Sequence, residues 1–297
     1  MKVFVTGGSG FIGTTVIHKL LKAGHEVVGL ARSEESAAKL ESMGPQVTVV
    51  RGELGDLEVL KKAASEADGV IHLGFVHDFS KFIECCEIDQ RATVAMLESL
   101  EGSNKAFVYT NGTLGLPAGK VSDEKVPSDT STGNVRSQTE AIALSFKEKG
   151  VNVTAVRLPP TVHGPGDKAF MLWLIGIAKR LGKSGYIGNG ENVWPAVNRL
   201  DTGDLYRLVL EKGTAGSVYH AVAEQGIKTK DIAKAIGDIL DVPVVSINAE
   251  DAQEQFGFLG MFFGKDSPAS SEITRKELGW KPHHPALLED LRTNYRL

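Results

Sequence analysis

The stretch Thr6-Gly7-Gly8-Ser9-Gly10-Phe11-Ile12-Gly13 follows an apolar run at residues 2–6 and precedes a segment with helical apolar spacing at residues 11–21. A second apolar run, residues 26–30, completes a strand–helix–strand unit of the expected length. Gly7 permits the tight turn, Gly10 lets backbone amides approach a pyrophosphate, and Gly13 lets the helix pack closely on the strand. The helix N-terminus, at Phe11 and Ile12, offers free N–H groups to an anion. The stretch therefore predicts a dinucleotide-binding loop.

Outward from this loop, apolar runs and helical patterns alternate as far as about residue 160. The predicted strands lie at residues 2–6, 26–30, 47–50, 69–73, 106–110 and 151–156, with helical segments between them. Strands that are separated by helices form parallel sheets covered on both faces. The pattern predicts an α/β protein with a Rossmann-type doubly wound parallel sheet in a dinucleotide-binding domain of residues 1–160.

The alternation ends near Pro159. Prolines, glycines, short helical pieces and short apolar runs follow, which predicts a smaller C-terminal substrate-binding lobe at residues 161–297, with some segments returning to the main domain. The polar loop at residues 115–133 is long for a compact chain, which is typical of a functional lid.

Composition narrows the class of partner. The chain has 297 residues, a formal net charge of −4 and no run rich in lysine or arginine, which argues against nucleic acid or a membrane surface as a partner. No apolar stretch approaches the ~20 residues that cross a bilayer, and the first residues lack a secretory signal pattern, so a cytoplasmic location is expected. Cys85 and Cys86 are adjacent, which predicts two buried thiols on a helix.

The end of the second predicted strand bears on the choice of dinucleotide. NAD sites usually place an acid there, on the ribose 2′-hydroxyl. Here Ala31 takes that position, and Arg32 and Ser33 follow. A guanidinium can bind a 2′-phosphate bidentately, and the serine hydroxyl can add a donor. The sequence favours NADP(H) over NAD(H).

Several segments resemble the extended short-chain dehydrogenase/reductase superfamily. The glycine stretch resembles its TGxxGxxG loop, Gly52-Glu53-Leu54 its Gly-Asp-Leu beside the adenine, and residues 70–74 (VIHLG) its fourth strand. Residues 157–167 (RLPPTVHGPGD) resemble its RPxxVYGPGD segment, and residues 278–282 its closing LGWKP. The resemblance spans essentially the whole chain. It implies further cofactor contacts at Glu53, Leu54, Leu73, Gly74, Pro159 and Val162.

The catalytic pattern departs from that superfamily, whose members mostly carry Tyr-x-x-x-Lys. None of the five tyrosines has a lysine four residues later. A glutamate commonly follows the family's lysine by four residues, and Glu140 then places Arg136 at the lysine position and Thr132 at the tyrosine position. A second register would use Asn134 and Gln138. Arg136 can still bind the nicotinamide ribose, but an aliphatic hydroxyl is a poor acid near neutral pH.

Other residues offer a proton or a polarising hydrogen bond. His163 replaces the tyrosine of YGPG, and its usual pKa suits general acid catalysis. The end of the fifth predicted strand supplies Thr110, Asn111 and Thr113, any of which can polarise a substrate carbonyl. A partly aromatic pocket is expected from Phe75, His77, Phe79, Met171, Trp173 and Trp194.

Three functions remain open at this point. The first is an NADP(H)-dependent oxidoreductase acting on a small carbonyl or alcohol, as a monomer or homodimer. The second is a sugar-nucleotide epimerase or dehydratase, although the tyrosine that these enzymes need is missing. The third is a catalytically impaired NADP(H) sensor. The lost Tyr-x-x-x-Lys pair is the feature that supports the third function, and the intact glycine loop is compatible with all three; we expect the first, the oxidoreductase.

Overall fold

The computed structural model describes residues 1–131 and 133–295. In chain order its strands are β1 (Lys2–Thr6), β2 (Glu26–Ala31), β3 (Val47–Arg51), β4 (Gly69–His72), β5 (Ala106–Gly112), β6 (Asn152–Leu158), β7 (Thr161–His163), β8 (Ser184–Ile187), β9 (Val193–Asn198), β10 (Val218–His220), β11 (Glu224–Lys228) and β12 (Val244–Ile247). Its α-helices are α1 (Phe11–Lys22), α2 (Glu34–Glu41), α3 (Leu57–Ser65), α4 (Phe82–Glu98), α5 (Val135–Ser145), α6 (Phe170–Leu181), α7 (Arg199–Lys212), α8 (Thr229–Leu240), α9 (Ala252–Phe256), α10 (Gly260–Phe263), α11 (Glu272–Leu278) and α12 (Leu287–Asn294).

A seven-stranded sheet forms the centre, in the order β10-β6-β5-β4-β1-β2-β3. Each neighbouring pair in it is parallel. The strand order reverses between β1 and β4, and in such sheets the ligand crevice opens at the carboxyl ends of the strands beside that reversal. The predicted Rossmann-type doubly wound α/β fold is confirmed.

Side chains on β1 alternate between two cores, as the two-residue period of a strand requires. Val3 and Val5 pack with the buried faces of α1, α2 and α7. Phe4 packs with α3, α4 and α5 on the other side of the sheet. Both thiols, Cys85 and Cys86, are free and buried on α4, as predicted.

The C-terminal part of the chain contributes to both lobes. Strand β10 is the edge strand of the central sheet, and α7 packs against α1 beside the glycine loop. The small lobe holds a three-stranded sheet, β11-β9-β7, and a two-stranded sheet, β12-β8. Its core is built from α6, α8 and α12. Among the described helices, none has the length and apolar character that crossing a bilayer requires.

The loop at residues 115–133, which the sequence predicts as a lid, is joined over its described part to residues 265–274. Ser122 forms an isolated β-bridge with Ala269. Glu124 Oε1 accepts hydrogen bonds from the backbone N–H of Thr274 at 2.7 Å and from its hydroxyl at 2.6 Å. Lys265 Nζ donates to the backbone oxygens of Leu114 and Leu116. These contacts join the region after β5 to the small lobe.

Candidate functional site

The glycine loop is shaped by close approach of backbone to backbone. Gly7 has φ +69°, and a Cβ on it would lie 2.8 Å from the backbone nitrogen of Gly74. A Cβ on Gly13 would lie 2.1 Å from Gly7 O, so neither position accepts a side chain. A Cβ on Gly10 would meet only Gly7 O, at 3.1 Å, and would otherwise fill open space over the loop. That space is where a pyrophosphate must approach.

The start of α1 fits an anionic ligand. Its N-cap, Gly10, provides no side-chain hydrogen bond, and the first turn carries no acidic residue. The first-turn N–H groups, which begin at Phe11 and Ile12, therefore keep their donors and the positive end of the helix dipole for a ligand. The residues present fit the pyrophosphate of a dinucleotide.

Basic side chains collect beside this loop at the carboxyl ends of β2 and β3. Ala31 pairs with Arg51 across the two strands, and the exposed Arg32 follows directly. Arg51 Nη1 donates to Ser33 O at 2.8 Å, and its other terminal nitrogen pairs with Glu34. The sequence identified Arg32 but missed Arg51, because the pairing of strands twenty residues apart brings Arg51 into place.

Lys39 adds a third cation from α2. Its Nζ donates to Ser9 O, in the glycine loop, at 2.7 Å. Ser33, by contrast, uses its hydroxyl to cap α2: Oγ accepts from Ser36 N at 3.2 Å and lies 2.8 Å from Ser36 Oγ. The hydroxyl that the sequence offered to a phosphate is thus engaged in a capping box.

Arg136 lies at the carboxyl end of β5, where the nicotinamide end of a dinucleotide is expected. Its Nη1 donates to Asp89 Oδ2 at 3.2 Å, its Nη2 to Thr110 O at 2.6 Å, and its Nε to Asn111 Oδ1 at 3.4 Å. A guanidinium has five N–H donors, so two remain without a partner among the described residues. The guanidinium carbon lies 4.7 Å from the centre of the Phe75 ring.

Asn134 selects between the two registers that the sequence left open. Its Oδ1 accepts from the backbone N–H groups of Arg136, at 3.1 Å, and Ser137, at 3.4 Å, so it is the N-cap of α5. A side chain engaged in this cap is not free for catalysis, so we keep the register that places Arg136 at the lysine position as the prediction. Thr132, the residue at the tyrosine position in that register, lies outside the described residues.

Asp89, on α4, binds the guanidinium of Arg136 and was not identified from the sequence. Tyr109 donates its hydroxyl proton to Asp89 Oδ2 at 2.9 Å, and His72 Nε2 lies 3.2 Å from Oδ1. Burial alone raises the pKa of the Asp89 carboxyl, but the Arg136 charge and the contacts with His72 and Tyr109 outweigh it, so the net pKa lies below its usual value. An acid at a buried position of a helix was the available signal, since such acids need partners.

The network continues from Asp89 back to the glycine loop. His72 Nδ1 lies 2.6 Å from Thr6 Oγ1, and Thr6 Oγ1 accepts from the backbone N–H of Gly74 at 3.0 Å. Burial first, and then Asp89, raise the pKa of Tyr109 well above its usual value, so Tyr109 stays protonated and donates. Strands β1, β4 and β5 are thereby tied to α4 at the crevice.

A second buried network lies beneath Asn111. Asn111 Nδ2 donates to Glu140 Oε2 at 2.8 Å, and Arg157 binds the same carboxylate through Nε at 3.0 Å and Nη2 at 2.5 Å. Burial raises the pKa of Glu140, but the hydrogen bonds and charge of Arg157 outweigh it, so the net pKa lies below its usual value. Arg157 Nη1 also lies 3.2 Å from His220 Nε2. Asn111 therefore connects a structural ion pair to Arg136.

His163 is buried in the small lobe. The residue has 0% exposure, and its Nδ1 lies 2.7 Å from Asp290 Oδ2 on α12. A ring with no exposed surface and one nitrogen engaged by a carboxylate does not meet a substrate in the crevice. The predicted proton-donor role of His163 is therefore not retained.

The two threonines of this region differ. Thr110 Oγ1 lies 2.9 Å from the Tyr206 hydroxyl of α7, so its side chain points to the other face of the sheet from Tyr109 and Asn111. Thr113 is buried, and its hydroxyl has no hydrogen-bond partner in the part of the chain that the structure describes.

The contacts implied by the family resemblance fall at strand ends. Leu73 and Gly74 follow β4 and adjoin Gly7. Leu54 packs on Gly74, where an added Cβ would meet it at 3.1 Å, and the exposed Glu53 binds Asp56 Oδ2 through its backbone N–H at 2.8 Å. Pro159 directly follows β6, and Val162 lies in β7, which pairs with β9.

Aromatic rings continue from Arg136 towards the surface. Phe75 lies 5.4 Å from His77, His77 lies 5.9 Å from Phe79, and Phe79 lies 5.2 Å from Trp173 of the small lobe, each distance joining ring centres. Phe258 also contacts Phe79, at 4.5 Å. We call Phe75, His77, Phe79, Trp173 and Phe258 the aromatic wall. The sequence expected Met171 and Trp194 there too, but both are buried in the core of the small lobe.

Comparisons with known proteins bear on the family and the fold of the chain. The sequence model of the NAD dependent epimerase/dehydratase family matches residues 3–222. The chain is 61% identical over 297 residues to "Uncharacterized protein YLL056C" of Saccharomyces cerevisiae, covering 100% of both chains. It is 26% identical to a 4-hydroxy-2-methyl-3-oxo-4-farnesyl-3,4-dihydroquinoline-1-oxide ketoreductase of Stigmatella aurantiaca, over 74% of this chain and 67% of the relative. Among solved structures, DesIV, a dTDP-glucose 4,6-dehydratase of Streptomyces venezuelae with NAD and TYD bound, superposes with a TM-score of 0.79 at 20% identity, covering 100% of this chain and 96% of that one.

Proposed function

Because the chain belongs to the NAD dependent epimerase/dehydratase family, whose members are NAD(P)-dependent oxidoreductases and epimerases, we propose that it is an NADP(H)-dependent oxidoreductase. Its substrate is a small organic carbonyl or the corresponding alcohol. The observation that carries the proposal is Arg136, a guanidinium with two uncommitted donors at the carboxyl edge of the sheet.

The basic cluster beside the glycine loop supports NADP(H) over NAD(H). Arg32 directly follows β2, Lys39 lies on α2 and Arg51 ends β3, around the position where NAD sites carry an acid. The adjacent Glu34 is almost fully exposed and pairs with Arg51, so it does not face the ribose unopposed. A 2′-phosphate would meet net positive charge here.

The cofactor supplies the hydride, and the chain's own residues manage the substrate oxygen. Reduction makes that oxygen negative, and the two remaining N–H groups of Arg136 stabilise the developing charge. Asp89 and Thr110 O fix the guanidinium plane, so the donors are oriented before the substrate binds. Arg136 itself keeps its proton, because a guanidinium does not deprotonate in a protein. The proton for the product alcohol comes from water.

The aromatic wall supports an apolar, ring-bearing substrate. Its rings run from Arg136 to the junction of the two lobes, and ring-to-ring contact favours flat apolar molecules. The ketoreductase among the relatives has a ring ketone in its name. The sugar-nucleotide alternative is less well supported, because none of the chain's tyrosines has a lysine four residues later.

A direct assay separates an oxidoreductase from a sensor. The protein is incubated with NADPH and with cyclic or aromatic ketones and aldehydes, and cofactor absorbance is followed. Turnover that is lost in Arg136→Ala but kept in Arg180→Ala, an exposed arginine on α6, supports the proposal. Tight NADPH binding by calorimetry with no turnover of any carbonyl would establish the sensor instead.

A further inference from the structure

A cluster of metal-binding groups lies away from the crevice, where residues 280–286, called the C-terminal segment below, contact α7. Asp201, His283 and His284 each offer one possible ligand atom, and these atoms lie within 4.8 Å of one another. Asp201 Oδ1 is 2.7 Å from His284 Nδ1 and 3.5 Å from His283 Nδ1. The centres of the two imidazole rings lie 4.2 Å apart, with the ring planes tilted by 37°. Neither the family resemblance nor the crevice gives this cluster a role.

The Asp201 carboxylate is held in a fixed position. Its side chain is 1% exposed, and it accepts backbone hydrogen bonds from His283 N at 3.0 Å and His284 N at 3.1 Å. Trp280 Nε1 donates to the backbone oxygen of Asp201 at 3.0 Å. The buried acid and the backbone of the C-terminal segment are therefore already joined, and the histidine side chains are additional to that anchor.

Asp201 Oδ1 has three nitrogen neighbours: the backbone N of His283 and the Nδ1 atoms of both imidazoles. If both imidazoles carried a proton on Nδ1, Oδ1 would face those two donors and the His283 backbone N–H, whereas a carboxylate oxygen has two lone pairs. His283 Nδ1 turns partly to Lys281 O, at 3.2 Å, as an alternative partner. One cation in place of the two protons satisfies Oδ1 and both nitrogens together.

We infer that Asp201, His283 and His284 form a divalent transition-metal site that joins α7 to the C-terminal segment. Two imidazole nitrogens and one carboxylate oxygen are a donor set that suits Zn²⁺ or Co²⁺ rather than Mg²⁺ or Ca²⁺. Donors sit about 2.0–2.1 Å from zinc, so His283 must turn inward slightly, which its 69% exposed side chain allows. Water completes the coordination on that exposed side.

A metal ion bound at this site would have a structural role. Asp201 lies in the first turn of α7, which packs on α1, and the C-terminal segment leads into α12 of the small lobe. Bound metal would tie the two lobes together and raise the free energy of unfolding by mass action. It lies outside the glycine loop and the Arg136 network, so the inference does not depend on the proposed function.

The test uses the full-length protein after treatment with a chelator. Zn²⁺ should raise the melting temperature, and Co²⁺ should give visible d–d absorption that saturates at one equivalent. His283→Ala/His284→Ala keeps the backbone donors to Asp201, so it should fold, as circular dichroism will report. This double variant should lose the Zn²⁺ shift and bind Co²⁺ at least about 10–100-fold more weakly, a loss found even for residues that only orient a ligand.

The matched control is His18→Ala, which removes an exposed histidine on α1 and should keep both responses. Two results would overturn the inference. One is the absence of both the melting shift and the Co²⁺ band in the wild-type protein. The other is a folded double variant that binds Co²⁺ as tightly as the wild-type protein does.

Discussion

Asp89 Oδ2 lies 3.2 Å from Arg136 Nη1, so a buried carboxylate on α4 holds the guanidinium that the family resemblance predicts at the lysine position. A buried acid paired with arginine stays ionised, and the depressed pKa of Asp89 agrees with this. The pair fixes a permanent positive charge at the mouth of the crevice. Such a charge binds and polarises an oxygen, but it does not pass a proton to it.

Replacing Arg136 tests that role. Arg136→Ala should lower kcat/KM for a ketone substrate by about 100–1000-fold, the loss typical of removing one donor to a developing oxyanion. Arg136→Lys should recover part of the rate, because it restores the charge without the two-donor geometry. The measurement is steady-state kinetics with NADPH. Unchanged kcat/KM in Arg136→Ala would remove this residue from the chemistry.

Asp89→Asn separates orientation from charge. The amide is close in size to the carboxylate but leaves Arg136 without its ionic partner, so kcat should fall by about tenfold while the Kd for NADPH, set at the glycine loop, stays the same. Kinetics and calorimetry on the same preparation give both values. An equal loss of NADPH affinity and kcat would indicate general damage to the sheet edge instead.

Cofactor preference should depend on the cluster at Arg32, Lys39 and Arg51. Arg32→Asp removes a cation and adds a charge that repels a phosphate, so the Kd for NADPH should rise about 10–100-fold, corresponding to one lost charge-assisted contact, and the Kd for NADH should change little. Arg51→Ala should act in the same direction. Fluorescence titration with both cofactors gives the ratio of the Kd for NADPH to the Kd for NADH, and Arg180→Ala is the control. A ratio that does not move in either variant would refute the 2′-phosphate assignment.

The two halves of the crevice differ in how much of their structure the sequence predicts. The glycine loop was predictable because its geometry is local: Gly7, Gly10 and Gly13 are spaced along one turn, and a Cβ at Gly13 would collide with Gly7 O. Arg32 was visible for the same reason. Arg51 was not, because strand pairing places it beside Ala31, and pairing register is not written in either segment alone.

The rest of the site could not be predicted because its contacts join residues that are far apart in the chain. Asp89 and Arg136 are 47 positions apart, and only the packing of α4 against α5 brings them together. The sequence does not indicate the burial of His163, because its partner, Asp290, lies 127 positions away and the intervening lobe buries both. The local sequence around a lone histidine in a Gly-Pro segment does not show whether its side chain is buried or exposed.

The buried Glu140–Arg157 pair should dominate local stability. Glu140→Ala leaves the Arg157 charge buried without its partner, which should cost about 3–5 kcal/mol in the free energy of unfolding. Denaturant unfolding measures this loss of free energy of unfolding. Glu148→Ala, at an exposed position just beyond the C-terminal end of α5, should change the free energy of unfolding little. A loss below about 1 kcal/mol in Glu140→Ala would mean that Arg157 finds other partners.

His220 should make stability depend on pH in mildly acid solution. Burial first, and then the Arg157 charge, lower the pKa of His220 to about 4. Its Nδ1 lies 2.8 Å from Ser270 O, so it donates there and presents an unprotonated Nε2 to Arg157. In the unfolded chain the histidine pKa is near 6.5. Between these values the unfolded state binds the extra proton, so the free energy of unfolding should fall as pH drops from about 6.5 towards 4, by up to ~1.4 kcal/mol per pH unit.

His220→Gln retains one donor for Ser270 O and one acceptor for Arg157 but does not titrate. Denaturant unfolding at a series of pH values should therefore show a shallower slope in the variant between pH 6.5 and about 4, with the remaining slope below that range set by carboxylates such as Glu140, whose pKa is lowered on folding. The exposed His18→Gln gives the matched control and should keep the wild-type slope. If His220→Gln and wild-type curves run parallel through this window, His220 takes up its proton in the folded protein as readily as in the unfolded one, and the buried, neutral ring deduced from its contacts with Arg157 and Ser270 is refuted.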